Sequence, residues 1–522
     1  MDEITYPIGD SSFTTIRVKN QFYVDKTGYI YRMASKGKYF FLSRPRRFGK
    51  SLLISTMEAY FKGQRELFNG LTISSLEKDW IQHPVLRFDL SADDMSKYEG
   101  LNAYLHATLS KWENKYGKDP DETSFGSRFA GIIERAYEQS GNGVVVLIDE
   151  YDNPLFSTID TPDIHEKMRS TLKGLYSVLK SKADQLHFCF LTGITRFSKM
   201  SVFSGMNNLR DITLNPFYSG ICGITQKELE EKCQMGIETV AEAKGLDYQG
   251  ALHLLKERYD GYHFGDMSLD VFNPYSLIQT FPEGIIDSYW FVSGTSEFLW
   301  KQISQLSASK DLIDVLNPIV EKTQLGATEH DGLKLEALLF QTGYLTLKES
   351  FEDGWAYRLG IPNKEVSEGI FGGLLPLLSH KRREETTADI LILRKYAREM
   401  DVDKFMLHLQ SFLADISNRL THKMPEIFYE NNLLILFNLI GIKTTVEKDT
   451  ADGRIDMVLE MPDVIYLIEL KLDHTAKEAL QQIHNKRYWL PYQRSNKKIL
   501  LIGINFSTKT RNIDSWEWQI LS

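Results

Sequence analysis

The run Val144-Val145-Val146-Leu147-Ile148, ending in Asp149-Glu150, constrains the fold more than any other segment. An apolar strand without alternation must be covered on both faces, as in a parallel sheet clad in helices. Acids at its carboxyl end stand where such sheets bind ligands. Upstream, Lys38 to Ser43 reads as a strand that enters Arg44-Pro45-Arg46-Arg47-Phe48-Gly49-Lys50-Ser51 and then an apolar-periodic helix, Leu52 to Phe61. Strand, loop, Gly-Lys-Ser and helix form the context of a phosphate-binding loop, although Arg44 replaces the first glycine of G-x-x-x-x-G-K-[ST]. The backbone N–H groups of Arg47, Phe48 and Gly49 would cradle a β-phosphate, Lys50 would reach the β- and γ-phosphates, and Ser51 would bind Mg2+. Asp149 would hold the same ion and Glu150 would polarise the attacking water. The plainer alternative leaves both acids facing solvent. A third strand, His187 to Leu191, ends in Thr192, placed to sense a γ-phosphate. Arg196, just beyond, is either a phosphate group's partner or an ordinary surface arginine. Strands at Val85–Leu90 and helices near Tyr98–Tyr116 and Ile164–Ala183 complete an alternating α/β order.

A second constellation lies near the end of the chain. Gly453-Arg454-Ile455-Asp456 opens one strand, and Glu469-Leu470-Lys471 closes the next, with a Pro462-Asp463 turn between them. Folded as an antiparallel hairpin, facing residues have numbers that sum to about 925, which sets Asp456 opposite Glu469 and Arg454 opposite Lys471. All four then share one face. Two carboxylates at that spacing suit a hard cation such as Mg2+, and a lysine beside them can orient water or stabilise charge on a phosphate. Acids and lysines alternating on a solvent face is the alternative. Against it stands the apolar run Val464 to Leu470, which looks buried and gives a charge pair there a cost to justify.

Composition sets outer bounds. At 522 residues the chain should hold two or three domains, here read as 1–222, 223–379 and 380–522. Cys189, Cys222 and Cys233 show no metal-ligand or disulfide spacing, so a reducing cytoplasm is expected. The N-terminus lacks a signal-peptide pattern and no apolar stretch is long enough to cross a bilayer, so no membrane association is expected. The net charge of −9 is uneven: 21 Lys and Arg face 20 Asp and Glu from His380 onward, and 40 face 50 before it. The C-terminal part is the better suited to approach a polyanion. Between the two constellations, Thr225 to Lys244 reads as a charged helical lid. Leu333 to Val366 has the helix, strand, strand order of a winged helix, a structural element or a binding one.

Several motifs stand in order: Tyr23-Val24-Asp25-Lys26-Thr27, Arg44 to Ser51, Asp149-Glu150-Tyr151-Asp152, Asn207-Asn208-Leu209-Arg210-Asp211, Tyr259-Asp260-Gly261-Tyr262 and Asn273-Pro274-Tyr275-Ser276. With the tail motifs Gly453 to Asp456, Glu469 to Lys471, Ala479 to Ile483, Tyr488 and Gly503 to Phe506, the chain resembles the predicted AAA-ATPase-like family of bacteria. Members of that family commonly end in a PD-(D/E)XK nuclease domain. The resemblance implies a P-loop NTPase parallel sheet, a helical and winged-helix-like lid region, and a restriction-endonuclease-like α/β domain. It implies ATP rather than GTP, and the missing first glycine becomes a family habit. Nucleases of this fold commonly take an acid from the first helix, here Glu426, which is otherwise a helix N-terminal acid complementing the dipole. Gln482, on the helix after Lys471, and Arg454 are the nucleic-acid contacts expected, though Gln482 has a packing and hydrogen-bonding role as its alternative.

Two functions follow. One is an ATP-hydrolysing protein coupled to a Mg2+-dependent DNA nuclease, with Mn2+ a substitute, acting in defence or mobile-element DNA processing. Its nuclease site would use Asp456, Glu469, the Leu470 carbonyl and Lys471. The other is a switch-type ATPase scaffold whose nuclease-like domain binds nucleic acid or protein without cleaving. A homo-oligomer is compatible with either.

Overall fold

The computed structural model describes residues 4–196, 208–266, 268–292, 303, 312–326, 334–379, 381–419, 426–440, 443–450, 453–510 and 512–521. They divide into two compact units, Met1–Thr295 with Leu316–Glu365, and Ser296–Val315 with Val366–Ser522.

The first unit is built on β1 (Tyr39–Ser43), β2 (Val85–Asp89), β3 (Val144–Asp149), β4 (Leu186–Gly193) and β5 (Arg210–Asp211), in the order β2-β3-β4-β1-β5. Every neighbouring pair is parallel. All six residues of β3 and all five of β1 are buried, as continuous apolar runs require. The helices Tyr98–Tyr116, Phe125–Ser140 and Pro162–Ser181 supply Leu105, Leu109, Phe129, Ile132 and Leu172 to one face of this sheet. After the sheet come a short ladder of β6 (Ile224–Thr225) with β7 (Val271–Phe272) and the helices Gln226–Lys232 and Gln234–Lys244, broken at Cys233. The helix Leu335–Thr342 precedes β9 (Thr346–Phe351) and β10 (Ala356–Gly360). These strands pair antiparallel, and β10 also pairs with β8 (Ile319–Glu321), a wing-like order β8-β10-β9.

The second unit carries a mixed sheet of β11 (Lys443–Thr450), β12 (Gly453–Glu460), β13 (Val464–Leu472), β14 (Lys498–Ser507) and β15 (Asn512–Leu521), ordered as numbered. Only β13 and β14 run parallel. A parallel pair needs a crossover, and the helix Ala476–Asn485 provides it. Thr475 caps that helix in a reciprocal box with Glu478. The helix lies close enough to β14 that a Cβ on Gly503 would come within 2.3 Å of the Ala476 carbonyl oxygen and 2.5 Å of the Leu480 nitrogen. Ile465, Leu467, Ile483, Tyr488, Tyr492 and Leu501 form the core beneath it. Among the described residues, no helix is long and apolar enough to cross a membrane.

Candidate active sites

The end of β1 and the helix Lys50–Phe61 hold the phosphate loop between them. Gly49 caps that helix with φ +91°, and a Cβ there would meet nothing within 4 Å, so backbone conformation alone asks for glycine. Arg47 also has a left-handed φ of +64°, a strained turn of the kind that gathers at functional sites. Its guanidinium lies 4.8 Å from the Tyr275 ring centroid. Phe48 is buried edge-on to Tyr262, centroids 4.7 Å apart, so its side chain anchors the loop and only its backbone remains to meet a ligand.

Lys50 is nearly buried. Its ammonium donates to the carbonyls of Arg44 and Pro45, each at 3.1 Å, and lies 3.5 Å from Glu150. The loop thus holds its lysine in place against Glu150, which itself has φ +51° just after β3. Asp149 is 1% exposed and neither carboxylate oxygen meets a hydrogen-bond donor in good geometry. Burial first, then the Glu150 charge, pushes its pKa up to about 6, with Ser51 and Lys50 pulling the other way. A buried carboxylate facing the Ser51 hydroxyl on a helix N-terminus, with the Arg87 guanidinium only as near as 4.0 Å, fits a divalent cation.

Three neighbouring residues are engaged structurally. Thr192 is fully buried and its hydroxyl donates to the Leu42 carbonyl at 2.8 Å, tying β4 to β1. Arg196 is tied to Asp211 by donors at 2.7 and 3.0 Å. Asp152 accepts from the Thr195 hydroxyl at 2.6 Å and from the backbone N–H groups of Ile194 and Thr195, so it joins the end of β3 to the end of β4. Arg44, where a glycine was missed in the loop, fills the space beneath it. Its guanidinium donates to the Ser43 and Thr213 carbonyls at 2.9 Å and stacks 4.1 Å from the Phe264 centroid. An apolar cavity opens beside Gly49, walled by Phe22, Val24, Leu52, Ile221 and Ile278.

In the second unit, β12 and β13 pair as Met457 with Ile468 through Glu460 with Ile465, the register expected from the sequence. The ladder ends there. One step beyond, Asp456 accepts from the Leu470 N–H at 2.8 Å. The N–H and C=O of one strand residue point to the same side, so the Leu470 carbonyl faces the same gap. Glu469 is 1% exposed, and its Oε2 is buried without a donor. Its other oxygen accepts from Lys471 Nζ at 3.2 Å and from the Gln482 side-chain amide. Burial, and then the facing Asp456 carboxylate, raises the Glu469 pKa to about 7, while Lys471 opposes the shift. Gln482 is therefore a hydrogen-bond partner of the acid pair, the packing and hydrogen-bonding role among its expected readings, with Glu469 as the partner that the sequence did not name. Tyr488 lies past the end of the helix, buried in the core.

Arg454 sits in β12 and Glu426 opens the helix Glu426–Leu439, but the side chains of both fall outside the described residues. Among the described residues, no group of three or more His, Cys, Asp or Glu gathers as a metal site. The acid pair with the Leu470 carbonyl is the donor set that remains, and the orphaned Glu469 oxygen fits a cation there.

A parallel sheet with a phosphate loop and a paired-acid mixed sheet define a P-loop ATPase-like unit on one chain with a restriction-nuclease-like unit. The comparisons agree. A family model described as Predicted AAA-ATPase matches residues 7–203, and one for the PD-(D/E)XK nuclease superfamily matches residues 424–516. A protein of Azotobacter chroococcum mcd 1, described as "Uncharacterized protein in vnfD 5'region", is 32% identical over 522 residues, covering 97% of either chain. The chain belongs to the predicted AAA-ATPase-like family with a C-terminal PD-(D/E)XK nuclease-superfamily domain.

Proposed function

We propose that the protein is an ATP-binding and ATP-hydrolysing DNA nuclease that works with Mg2+, or Mn2+ in its place, in defence or mobile-element DNA processing. One observation carries the nuclease reading: Glu469, buried with an unpartnered oxygen, faces Asp456 and touches Lys471. A retired fold has no use for that arrangement, because two facing carboxylates, one of them buried with an oxygen lacking a hydrogen-bond partner, cost stability. Asp456, Glu469 and the Leu470 carbonyl would hold a divalent cation, which supplies Lewis acidity and a water of lowered pKa when bound. Lys471 places its ammonium where charge develops on a phosphate, and Gln482 fixes Glu469 in one rotamer. At the other centre Ser51 and Asp149 would hold Mg2+, Lys50 would leave the Arg44 and Pro45 carbonyls for the phosphates, and Glu150 would orient water. The apolar cavity beside Gly49 suits a nucleobase.

Supercoiled plasmid and single-stranded DNA, incubated with the protein and Mg2+ or Mn2+, test the reading. Nicking or linearisation that EDTA abolishes and Asp456→Ala removes is the expected result. ATP hydrolysis without cleavage under every condition would leave the scaffold reading in its place.

A further inference from the structure

We infer that the segment Lys486 to Lys497, which crosses from the crossover helix back to β14, is the surface on which a DNA duplex lies while its phosphate reaches the acid pair. The inference rests on the nuclease reading above. Between Glu478 and Asp514 the chain carries seven Lys and Arg and no Asp or Glu, in a protein whose net charge is −9. Five of the seven (Lys486, Arg487, Arg494, Lys497 and Lys498) fall within this one segment and the first residue of β14. All but Lys497 are exposed, and Lys497 is half-buried. Among the described residues, no acid pairs with Lys486, Arg494, Lys497 or Lys498. Cations usually find acidic neighbours on an acidic protein; here the neighbours are missing.

The cations ride on a fixed frame. Tyr488 and Tyr492 are buried in the core, a 3-10 turn spans Leu490–Tyr492, and the Lys498 N–H donates to the Asp463 carbonyl at 3.0 Å. Position relative to the acids follows from the elements. Lys486 N–H closes the last helical bond on the Gln482 carbonyl, so Lys486 stands one turn, ~5.4 Å, beyond the residue that touches Glu469. At the far end Lys498 pairs with Val464, five strand positions from Glu469, or ~17 Å; the odd count turns its side chain to the other face of the sheet, so the surface ends at Lys497. Side chains two apart share a strand face, so Glu469 lies on the face of Ile465 and Leu467, and those residues pack against Tyr488 and Tyr492. From Lys486 to Lys497 the segment therefore covers the same face that presents the acids. A span of ~5 to 17 Å is within half a turn of duplex, whose full turn is about 34–36 Å. Phosphates flanking the one at the acid pair would meet these cations. Such contacts are indifferent to sequence and set affinity through counterion release.

Fluorescence anisotropy with a labelled DNA duplex, in EDTA and without nucleotide, reads binding while excluding cleavage. The variant combining Lys486→Ala, Arg494→Ala and Lys497→Ala should lower the slope of log affinity against log salt by about 2 to 3, at about 0.9 per cation removed. A control combining Lys227→Ala, Lys232→Ala and Lys244→Ala should bind as the wild type does. Wild-type slope and affinity in the threefold variant would overturn the inference while leaving the nuclease reading intact. Loss of slope in a protein that cuts nothing would support the surface and remove the nuclease reading instead. Absence of duplex binding by the wild type would overturn both.

Discussion

Trp290 donates its indole N–H to the carbonyl of Arg46 at 3.0 Å, joining two positions 244 residues apart. Its backbone N–H donates to Glu365 at 2.8 Å, and Glu365 also accepts from Ser276. Gly343 packs against the same place: a Cβ there would lie 2.8 Å from Pro45 and 3.3 Å from the Trp290 ring. The phosphate loop is thus braced from behind by segments far along the chain, and its shape depends on them.

Trp290→Phe keeps the ring and removes that hydrogen bond. Such a bond contributes about 1 kcal/mol, so ATP should bind roughly fivefold more weakly, as read by calorimetric titration. Unchanged affinity would mean that Arg46 needs no brace.

Arg44→Gly restores the glycine of the common loop pattern and should damage the protein. The Thr213 and Ser43 carbonyls lose their buried donors, at a combined cost of about 3 kcal/mol. Chemical denaturation should show that loss, with no gain in nucleotide affinity.

Glu150→Gln should bind ATP and hydrolyse it at least ~100-fold more slowly, because a carboxylate that polarises water typically supplies that factor. Removing the Lys50–Glu150 ion pair leaves the loop itself intact. A hydrolysis rate equal to wild type would take Glu150 out of the mechanism.

The raised pKa of Glu469, about 7 against 4.5 in an unfolded chain, carries a sign. Between those values the folded state binds the extra proton, so stability is full below about pH 4.5 and is lost as pH rises through 7. Glu365, raised to about 7 by burial, and Asp149, raised to about 6, act in the same direction. In EDTA, the melting temperature should fall from pH 5 to pH 8, and Glu469→Gln should flatten part of that fall. Added Mn2+ should stabilise wild type more at pH 8 than at pH 6, since it binds the deprotonated pair. A pH-independent Mn2+ effect would contradict the assignment.

Gln482→Ala should slow cleavage ~10- to 100-fold, the usual loss when a ligand's own hydrogen-bond partner is removed, with duplex binding retained. Equal loss of binding would return Gln482 to the DNA-contacting role.

Both centres were legible because each couples an apolar strand to charges at its end. Val144–Ile148 and Val464–Leu470 cannot be exposed, so the acids and lysine after them had few places to stand. Even the hairpin register followed from the short Pro462–Asp463 turn. What stayed hidden depends on tertiary contact. Thr192 reads as a strand-tip polar residue, and only the β1 pairing shows that its hydroxyl bonds the Leu42 carbonyl. Nothing local distinguishes Gln482 as a partner of Glu469, since the crossover geometry alone brings helix and strand together. The Phe125–Ser140 helix, with Phe129, Ile132, Ile133 and Ala136 on its buried side, has clear helical spacing but no motif to draw notice. Arg44 reads as a flaw in a glycine pattern, and only the Thr213 carbonyl and Phe264 ring show what it fills.

The proposed function couples the two centres, so that nucleotide at Lys50 would govern phosphodiester cleavage at Asp456. Single-turnover cleavage of a labelled duplex, followed with Mg2+ across a range of ATP concentrations, tests that claim most directly in wild type and Lys50→Ala. The rate should depend on ATP in the wild type and be indifferent to it in Lys50→Ala, with both proteins silenced by Asp456→Ala. A wild-type rate that ignores ATP, or equal responses in the two proteins, would contradict the claim.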